Sequence, residues 1–465
     1  NDKDISALII LGQCFFDEGN LDKAKKIFND IVVIDNNNLS ALNSLGRIYH
    51  TKREVGKAEQ FFLKALAING KSYHILNNIA GLYRESGKYN EALDYYNRAL
   101  ILNPNNAYIY NNLAKTYFDL NNHDDAKKNS FKALELKKED GDIQKALSFI
   151  YLKDFDFING WNYFEGRLNL DDFLEKNISI EKLNEKIFRK KSIKNIRSKF
   201  LIVREQGVGD EILYGSMYGD LLEQIKNVSI ECDKRLIKLF KRSFPKHKTK
   251  FLKLGSISND NEKLKKVDYV LYAGSLGRFC RNDINSFSGK QYLKIDDKKF
   301  KEIKAQLVKY KSKHKIGISW KSFNNKYSSD KSLNLSDFKH IFNLPNTNII
   351  NLQYGDIKEE VNKFNNITKN KILSFENIDL FNDFEGISCL LKSLDLFISV
   401  SNSTAHLAGS LGVKTLLIKP DNYALFHYWN QKNNFTPWYN SVRLIDKNKF
   451  FKELNTIDKI FSYLD

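Results

Sequence analysis

The sequence has few of the residues that build cross-linked or metal-bound folds. It has 465 residues but only four cysteines, Cys14, Cys232, Cys280 and Cys389, and they form no C-x-x-C pair. This spacing argues against a disulfide framework or a zinc site and favours free thiols in a reducing compartment. No apolar run approaches the roughly 20 residues of a membrane span, and no signal peptide is visible. We therefore expect a cytoplasmic protein without a transmembrane segment.

Acidic residues are fewer than basic ones, 56 against 74, which gives a net charge of +18. Such a surface attracts nucleic acid, anionic lipid or phosphorylated small molecules. The basic residues are dispersed, however, and the run Lys298–Lys315 alternates lysines with Phe300, Ile303, Leu307 and Tyr310. That alternation predicts a solvated amphipathic helix. Because no basic motif interleaved with aromatic residues suggests an RNA platform, we expect no nucleic-acid partner.

The first third of the chain repeats with a period of 34 residues. The recurring positions are Leu11-Gly12, Leu45-Gly46, Ile79-Ala80 and Leu113-Ala114; Phe15, Tyr49, Tyr83 and Tyr117; and Ala24, Ala58, Ala92 and Ala126. Small residues let paired helices approach closely, and the aromatic residues fill the gap to the next pair. The pattern resembles the tetratricopeptide repeat family in four units, which span residues 5–38, 39–72, 73–106 and 107–140 within a domain of residues 1–140. We expect this array to hold a protein.

A weaker fifth unit keeps the same phase, with Leu147, Ser148 and Tyr151 on one helix and Gly160 and Phe164 on the next. It predicts a degenerate repeat and a helical connection over residues 141–195. Asparagines recur on the first helix of each repeat, namely Asn43, Asn77, Asn78, Asn111 and Asn112. Two interpretations stay open: these amides hydrogen-bond an extended peptide, or they are ordinary solvated helix surface.

From Lys199 onward, short apolar runs alternate with helical stretches. The predicted strands are "FLIVRE", "VSIEC", "DYVLYA", "KIGISW", "NIINLQY", "LFISV" and "KTLLIKP". This alternation predicts parallel sheets with helices on both faces. We expect an N-terminal Rossmann-like domain at 196–300, a C-terminal one at 301–445, and a final helix within 446–465 that crosses back to the first. The basic helix near 298–313 would lie at the hinge.

Ligands of open α/β sheets bind beyond the carboxyl ends of the strands, so the loops after the strands are the candidate sites. In the first loop, Gly207 and Gly209 permit positive φ and close backbone approach. Asp210 follows them at the start of a helix. Its carboxylate either caps that helix or takes a proton from an attacking hydroxyl.

Two later loops carry groups that suit a diphosphate. Lys321, Ser322 and Lys331 follow the strand that ends at Trp320. In "SVSNSTAHLAGSLG", four small polar residues precede a helix, and a helix N-terminus attracts anions. His406 lies in the first turn of that helix, where a core or capping role is the alternative to a role in binding.

Taken in order, these loops resemble bacterial proteins in which tetratricopeptide repeats are fused to a GT-B glycosyltransferase domain of the heptosyltransferase-like kind, similar to glycosyltransferase family 9. The segments that carry the resemblance are "REQGVGDEILYGSMYGDL", "ECDKRLIKLFKRSFP", "KIGISWKS", "INLQYG", "LDLFISVSNSTAHLAGSLGVKTLLIKP" and "PWYNSVRLI". The resemblance implies inverting transfer of a hexosyl or heptosyl group from a nucleotide-diphosphate sugar, with Asp210 as the base. It places Gln206, Gly207 and Gly209 on the acceptor side of a cleft. The implied donor-binding residues are Lys321, Ser322, Lys331, Gln353, Asn402, Ser403, Thr404, Ala405 and His406.

The resemblance implies neither a metal nor another cofactor. The Asp-x-Asp motif Asp154-Phe155-Asp156 is predicted between two helices, away from any sheet loop. Relatives often have Asp-Thr where this chain has Ser401-Asn402, so a non-catalytic scaffold with a degenerate GT-B domain is one alternative. A nucleotide-sugar epimerase is another. We expect the acceptor to be a protein, such as a surface or flagellar subunit, with a glycan or lipid-linked acceptor and a homo-oligomer as further possibilities.

Overall fold

A computed structural model of the chain describes residues 2–170, 183–190, 192–193, 197–323, 331–368, 370–420, 427–431 and 435–464. The chain divides into two compact units, Asn1–Ile150 and Tyr151–Asp465. None of the described helices is long and apolar enough to cross a bilayer.

The first unit is built from consecutive helix pairs, which we call the repeat array. Its helices are α1 (Asp2–Asp17), α2 (Leu21–Ile34), α3 (Leu39–Thr51), α4 (Val55–Ile68), α5 (Tyr73–Glu85), α6 (Tyr89–Leu102), α7 (Ala107–Asp119), α8 (His123–Leu136) and α9 (Gly141–Lys153), which runs into the second unit. The close approach predicted for paired helices at the small residues is present. A Cβ at Gly46 would lie 2.5 Å from the Phe62 ring, and one at Gly12 would lie 2.7 Å from Phe28.

The second unit begins with α10 (Phe157–Phe164), which is capped by Asp156 of the Asp-x-Asp motif. Two sheets follow. The strands of the first are β1 (Phe200–Val203), β2 (Val228–Cys232), β3 (Phe251–Lys253) and β4 (Tyr269–Tyr272). Those of the second are β5 (His314–Ser319), β6 (Thr347–Asn351), β7 (Ile372–Leu373), β8 (Leu396–Val400), β9 (Thr415–Ile418), β10 (Phe435–Thr436) and β11 (Tyr439–Ile445).

Helices connect these strands. Those around the first sheet are α11 (Val208–Gly215), α12 (Tyr218–Gln224), α13 (Ile237–Ser243), α14 (Asn261–Lys265) and α15 (Gly277–Cys280). Those around the second are α16 (Asp297–Val308), α17 (Lys339–Phe342), α18 (Lys358–Ile367), α19 (Phe384–Lys392), α20 (Ser403–Ser410), α21 (Lys447–Glu453) and α22 (Ile457–Leu464). The predicted basic helix is α16, which ends at Val308.

The strand order fixes where loops can meet. The four-stranded sheet is parallel and has the order β3-β2-β1-β4. The seven-stranded sheet has the order β10-β11-β9-β8-β5-β6-β7, and among its described strands only β10 and β11 pair antiparallel. Both follow the doubly wound pattern, in which the chain changes direction beside the first strand and leaves a crevice at the carboxyl ends. The crevices therefore lie between β1 and β4 and between β5 and β8.

The connection predicted as helical over 141–195 is partly extended. Residues 171–182, 191 and 194–196 of it lie outside the described part of the chain. Ile187 forms a parallel bridge with Val270 of β4, and the Phe188 N–H donates to the Val270 carbonyl at 2.9 Å. This segment satisfies backbone groups along the edge of β4.

The C-terminal stretch forms two helices rather than the single one predicted. Phe450, Leu454 and Ile460 are buried in the core of the seven-stranded sheet, together with Ile316 and Trp320. The apolar face of these helices is thus covered by that sheet, whereas the sequence predicted a helix crossing to the first domain.

Candidate functional site

The loop after β1 contains a backbone conformation that the sequence did not predict. Gln206 has φ of 59°, in the left-handed region, while Gly207 has φ of −84° and Gly209 is not among the positive-φ glycines. The positive φ that the two glycines permit is therefore adopted by Gln206 instead. For a non-glycine residue this conformation costs roughly 1–2 kcal/mol. Because such residues cluster at functional sites, Gln206 marks this turn as a candidate.

Gly209 is needed for a close approach between two helices. A Cβ at this position would lie 3.2 Å from the Cδ2 atom of His406 and 3.2 Å from the Cα atom of Ser403. Both contacts are tighter than ordinary van der Waals contacts, so a side chain at position 209 would require α11 or α20 to shift by a few tenths of an ångström. The loops after β1 and β8, which belong to different sheets, consequently meet.

Asp210 lies in the first turn of α11 and is half-buried. Its Oδ2 atom accepts a hydrogen bond from the Gly207 N–H at 3.2 Å, which is the capping interaction predicted as one of its two roles. Burial raises the pKa of Asp210 to about 6, although the Gly207 N–H and the charge of Lys331 act to lower it. The carboxylate is therefore mostly ionised at neutral pH and titrates close to it, as a general base should.

The predicted anion site at the start of α20 is arranged around Asn402. Its Oδ1 atom accepts from the Ala405 N–H at 3.1 Å, and its Nδ2 atom donates to the Ser319 hydroxyl at 2.7 Å. Asn402 therefore caps the helix and ties the loop after β8 to β5. Both polar atoms of its amide are hydrogen-bonded within the protein. Thr404 and Ala405 are buried, and Ser403 is half-buried in the first turn.

His406 is held in an aromatic cluster. Its ring stacks on Trp429 at a centroid distance of 4.7 Å, and its Nδ1 atom lies 3.2 Å from the Tyr439 hydroxyl. Burial lowers the pKa of His406 to about 3, and the charge of Lys331 acts in the same direction. The imidazole is therefore neutral at physiological pH.

Two residues predicted to contact a donor form hydrogen bonds or an ion pair within the protein. The Gln353 Oε1 atom accepts from the N–H groups of Trp320 and Lys321 at 2.8 and 2.6 Å. The Lys321 ammonium pairs with Glu360 at 2.6 Å. These partners make Gln353 and Lys321 supports of the loop after β5, and their contact with a donor stays a prediction.

Ser322 and Lys331 are both buried. The Ser322 N–H donates to the Ser332 hydroxyl at 3.0 Å. The charge of Lys331 lowers the pKa of Asp210 and also that of His406. Among the predicted donor residues, Lys331 is related to the acid loop through its charge and Ser403 through its contact with Gly209.

Sequence reasoning missed a buried ion pair behind the acid loop. Arg167, which follows α10, donates through Nε and Nη2 to the two carboxylate oxygens of Glu205 at 2.8 and 2.9 Å. Both side chains are almost completely buried. Arg167 also donates to the Ser275 hydroxyl at 3.0 Å, so it ties the loops after β1 and β4 together. These residues are 38 positions apart and show no periodic signal.

In the repeat array the asparagines bond to one another. Asn78 donates to Asn43 at 2.8 Å and Asn112 donates to Asn77 at 3.0 Å, while Asn111 is buried. The amides thus pair between successive repeats, an arrangement that neither sequence interpretation included. A cavity of about 400 Å³ opens between α1 and α3. It is lined by Ile9, Ile10, Gln13, Cys14, Ser40, Asn43, Ser44 and Arg47.

Comparison with known proteins identifies the repeats. Profiles of the tetratricopeptide repeat family match residues 6–33, 39–72, 81–121 and 107–140, which confirms the prediction for the first unit. The FlbA protein of Caulobacter vibrioides is 29% identical over 261 residues. The alignment covers 53% of this chain and 42% of FlbA, so the chain spans less than half of that relative. A share of 53% exceeds the roughly one third that ends at Lys153, so the likeness continues beyond the repeat array.

Solved structures of repeat proteins are also similar. PilF of Pseudomonas aeruginosa is 23% identical, with a TM-score of 0.33, over 36% of this chain and 81% of PilF. MamA is 21% identical, with a TM-score of 0.30, over 34% of this chain and 92% of MamA. A thermophilic tetratricopeptide repeat protein of Thermus thermophilus is 19% identical, with a TM-score of 0.34, over 38% of this chain and 95% of its own.

Proposed function

We propose that the second unit is a GT-B glycosyltransferase that moves a sugar from a nucleotide-diphosphate donor to an acceptor. The observation that carries this proposal is the 3.2 Å approach of Gly209 to Ser403 and His406. It sets a carboxylate from one sheet beside a helix N-terminus from the other. A proton acceptor and an anion site within one crevice are what such a transfer requires.

In the proposed reaction, the acceptor hydroxyl gives its proton to the Asp210 carboxylate. The hydroxyl oxygen forms a bond to the anomeric carbon from the face opposite the leaving nucleoside diphosphate. The bond from that carbon to the diphosphate oxygen breaks, so the configuration inverts. Negative charge grows on the leaving diphosphate, where the Lys331 ammonium and the N–H groups at the start of α20 stabilise it.

The charges of the crevice support these roles. Asp210 has a pKa of about 6, so it is mostly ionised at pH 7 and ready to accept a proton. His406 is neutral there because its pKa is about 3, so it can contribute a hydrogen bond but not a charge. Lys331 supplies the positive charge close to both groups.

We propose a protein acceptor held by the repeat array. Tetratricopeptide arrays present extended surfaces to other proteins. The asparagine row on α3, α5 and α7 and the cavity beside Asn43 give this array polar and apolar positions on one side.

A non-catalytic scaffold is the second candidate, and one observation favours it. Gln353, Lys321 and Asn402 have their polar groups engaged within the protein, which leaves fewer side chains for a donor than the sequence predicted. Under this alternative the crevice is a structural remnant and the repeats carry the function.

Turnover of UDP-, GDP-, ADP- and CMP-sugars by the wild type and Asp210→Asn separates these functions. The proposal predicts transfer with inversion in the wild type and a rate lower by about 10²–10⁴-fold in Asp210→Asn, the usual contribution of a general base. Zero turnover of every donor by both proteins would support the scaffold. A converted sugar nucleotide formed without any acceptor would indicate an epimerase.

A further inference from the structure

Three aromatic rings lie in a row at the carboxyl edge of the seven-stranded sheet. Phe323 follows β5, Tyr354 follows β6, and Phe381 lies between β7 and α19. The ring centroids of Phe323 and Tyr354 are 5.4 Å apart, and those of Tyr354 and Phe381 are 6.1 Å apart. We call these three residues the aromatic row.

The two outer rings are open to solvent. Phe323 is 46% exposed and Phe381 is 56% exposed, whereas the phenylalanines around the same sheet, such as Phe338 and Phe342, are buried. Neighbouring exposed aromatic rings beside a crevice are typical of a binding surface.

The Phe323 ring is held by the backbone beneath it, and the Phe381 ring is held by Tyr354 and Arg235. Gly355 has φ of 95°, and a Cβ there would lie 2.4 Å from the Phe323 Cζ atom, so this ring rests on the glycine backbone. Phe381 lies in a turn where the Asp379 carboxylate accepts from the N–H groups of Phe381 and Asn382 at 2.9 and 3.1 Å. Rings fixed in this way lose little conformational freedom when a ligand binds.

The middle ring of the aromatic row lies beside the proposed diphosphate site. Burial raises the pKa of Tyr354 while the Ser403 side chain, in the first turn of α20, acts to lower it, so these two side chains are neighbours. At one end of the row, the Arg235 guanidinium lies 5.2 Å from the Phe381 ring centroid and donates to the Phe381 carbonyl at 3.1 Å. The row therefore passes the helix N-terminus at its middle ring and meets, at its Phe381 end, a cation supplied by the loop after β2.

We infer that the aromatic row binds the nucleobase of the sugar donor by stacking, an inference that rests on the proposed function. A ribose joins the base to the diphosphate, so the base must lie a short distance from Ser403, and the middle ring of the row lies beside that residue. Aromatic rings stack on any base because every base has a π-face. An acceptor seated on the row is the competing occupant, and the experiment below separates it.

Isothermal titration of the full chain with UDP, GDP, ADP and inorganic pyrophosphate tests this inference. The variants are Phe323→Ala and Phe381→Ala. The matched control is Phe435→Ala, because Phe435 is also exposed, at 38%, and also stacks against an arginine, with the Arg443 guanidinium 3.4 Å from its centroid. It lies on β10, at the opposite edge of the same sheet. Melting curves establish that each variant is folded.

We expect both row variants to bind at least one of the three nucleotides about tenfold more weakly, within the range for loss of one base-stacking ring. Their affinity for pyrophosphate and the nucleotide affinity of Phe435→Ala should stay at the wild-type value. Wild-type nucleotide affinity in both row variants would overturn the inference and leave the proposed function standing. A wild type that binds neither pyrophosphate nor any nucleotide would overturn both proposals.

Discussion

In the repeat array, the asparagines of α3, α5 and α7 bond to one another in pairs that recur with the repeat, as Asn78 does with Asn43. At the carboxyl edges of the two sheets, by contrast, each polar side chain has partners of its own. Glu205 accepts a hydrogen bond from Arg167, Asn402 donates one to Ser319, and Gln353 accepts one from the Trp320 N–H. A repeated contact has equivalents elsewhere in the array, whereas a contact formed once has none. Substitutions in the second unit should therefore have the larger effects.

The largest loss of stability should follow Arg167→Met. Removing this partner leaves the Glu205 carboxylate buried and unpaired, which typically costs about 3–5 kcal/mol of unfolding free energy. Urea unfolding measures the change. Lys265→Met is the control, because its pair with Glu262 is exposed and should contribute at most about 1 kcal/mol. Equal losses of stability in Arg167→Met and Lys265→Met would contradict the distinction between a buried and an exposed ion pair. The double variant Arg167→Met/Glu205→Leu should recover much of the stability that Arg167→Met loses.

The next largest effect should be that of Lys331→Met on sugar transfer. We expect kcat to fall by about 10²–10³-fold, since one group that stabilises developing negative charge contributes roughly this much. Steady-state kinetics with a saturating donor measures it. Lys321→Met should reduce the rate far less, because its ammonium pairs with Glu360. Comparable losses in both variants would argue against a special position for Lys331.

Gly209→Ala should be destabilising because it adds a Cβ 3.2 Å from Ser403 and His406. Crowding of this kind costs about 1–3 kcal/mol. Thermal unfolding of this variant and of Gly56→Ala gives the comparison, since a Cβ at Gly56 meets nothing within 4 Å. A Gly209→Ala variant as stable as the wild type would show that α11 and α20 are farther apart in solution.

A smaller effect is expected from pH. Burial raises the pKa of Asp210 to about 6, and the ionised form is the base. The value of kcat/KM should therefore be level above pH 7 and should fall about tenfold for each pH unit below 6. A profile of kcat/KM from about pH 4.5 to 8.5 tests this. A value of kcat/KM that stays level down to about pH 5 would contradict it.

The smallest change should come from the array. Asn78→Ala removes one amide pair, which contributes about 0.5–1.5 kcal/mol, and leaves the Asn112–Asn77 pair intact. Calorimetry of the melting transition is the measurement. A loss as large as that of Arg167→Met would mean that the asparagine pairs are not equivalent contacts.

The periodic part of the fold was predictable and the irregular part was not. A 34-residue period identified the array because each helix pair repeats the same contacts. The apolar runs located β1, β2, β4, β5, β6, β8 and β9. The strands β3, β7 and β10 have only two or three residues each, too few to give a pattern, and β11 was not predicted as a strand although "PWYNSVRLI" was recognised.

The candidate site shows the same limit. Asp210, Ser403 and Lys331 were found because they follow strands whose carboxyl ends bind ligands. The sequence does not reveal which neighbour will hydrogen-bond to, or pair with, a polar side chain. The donor role predicted for Gln353 and Lys321 therefore did not include their contacts with Ser319 and Glu360. For the same reason the turn at Gln206 and the Arg167–Glu205 pair appear only once the chain is folded.

The most direct test is whether the loops after β1 and β8 meet in solution. A Cβ at position 209 would lie 3.5 Å from the Ser403 Cβ atom, which is within the range that a disulfide spans. A Gly209→Cys/Ser403→Cys variant, made with Cys14→Ser to remove the exposed native thiol, should form an intramolecular disulfide under mild oxidation. Two thiols that both stay open to maleimide after oxidation would contradict a shared crevice.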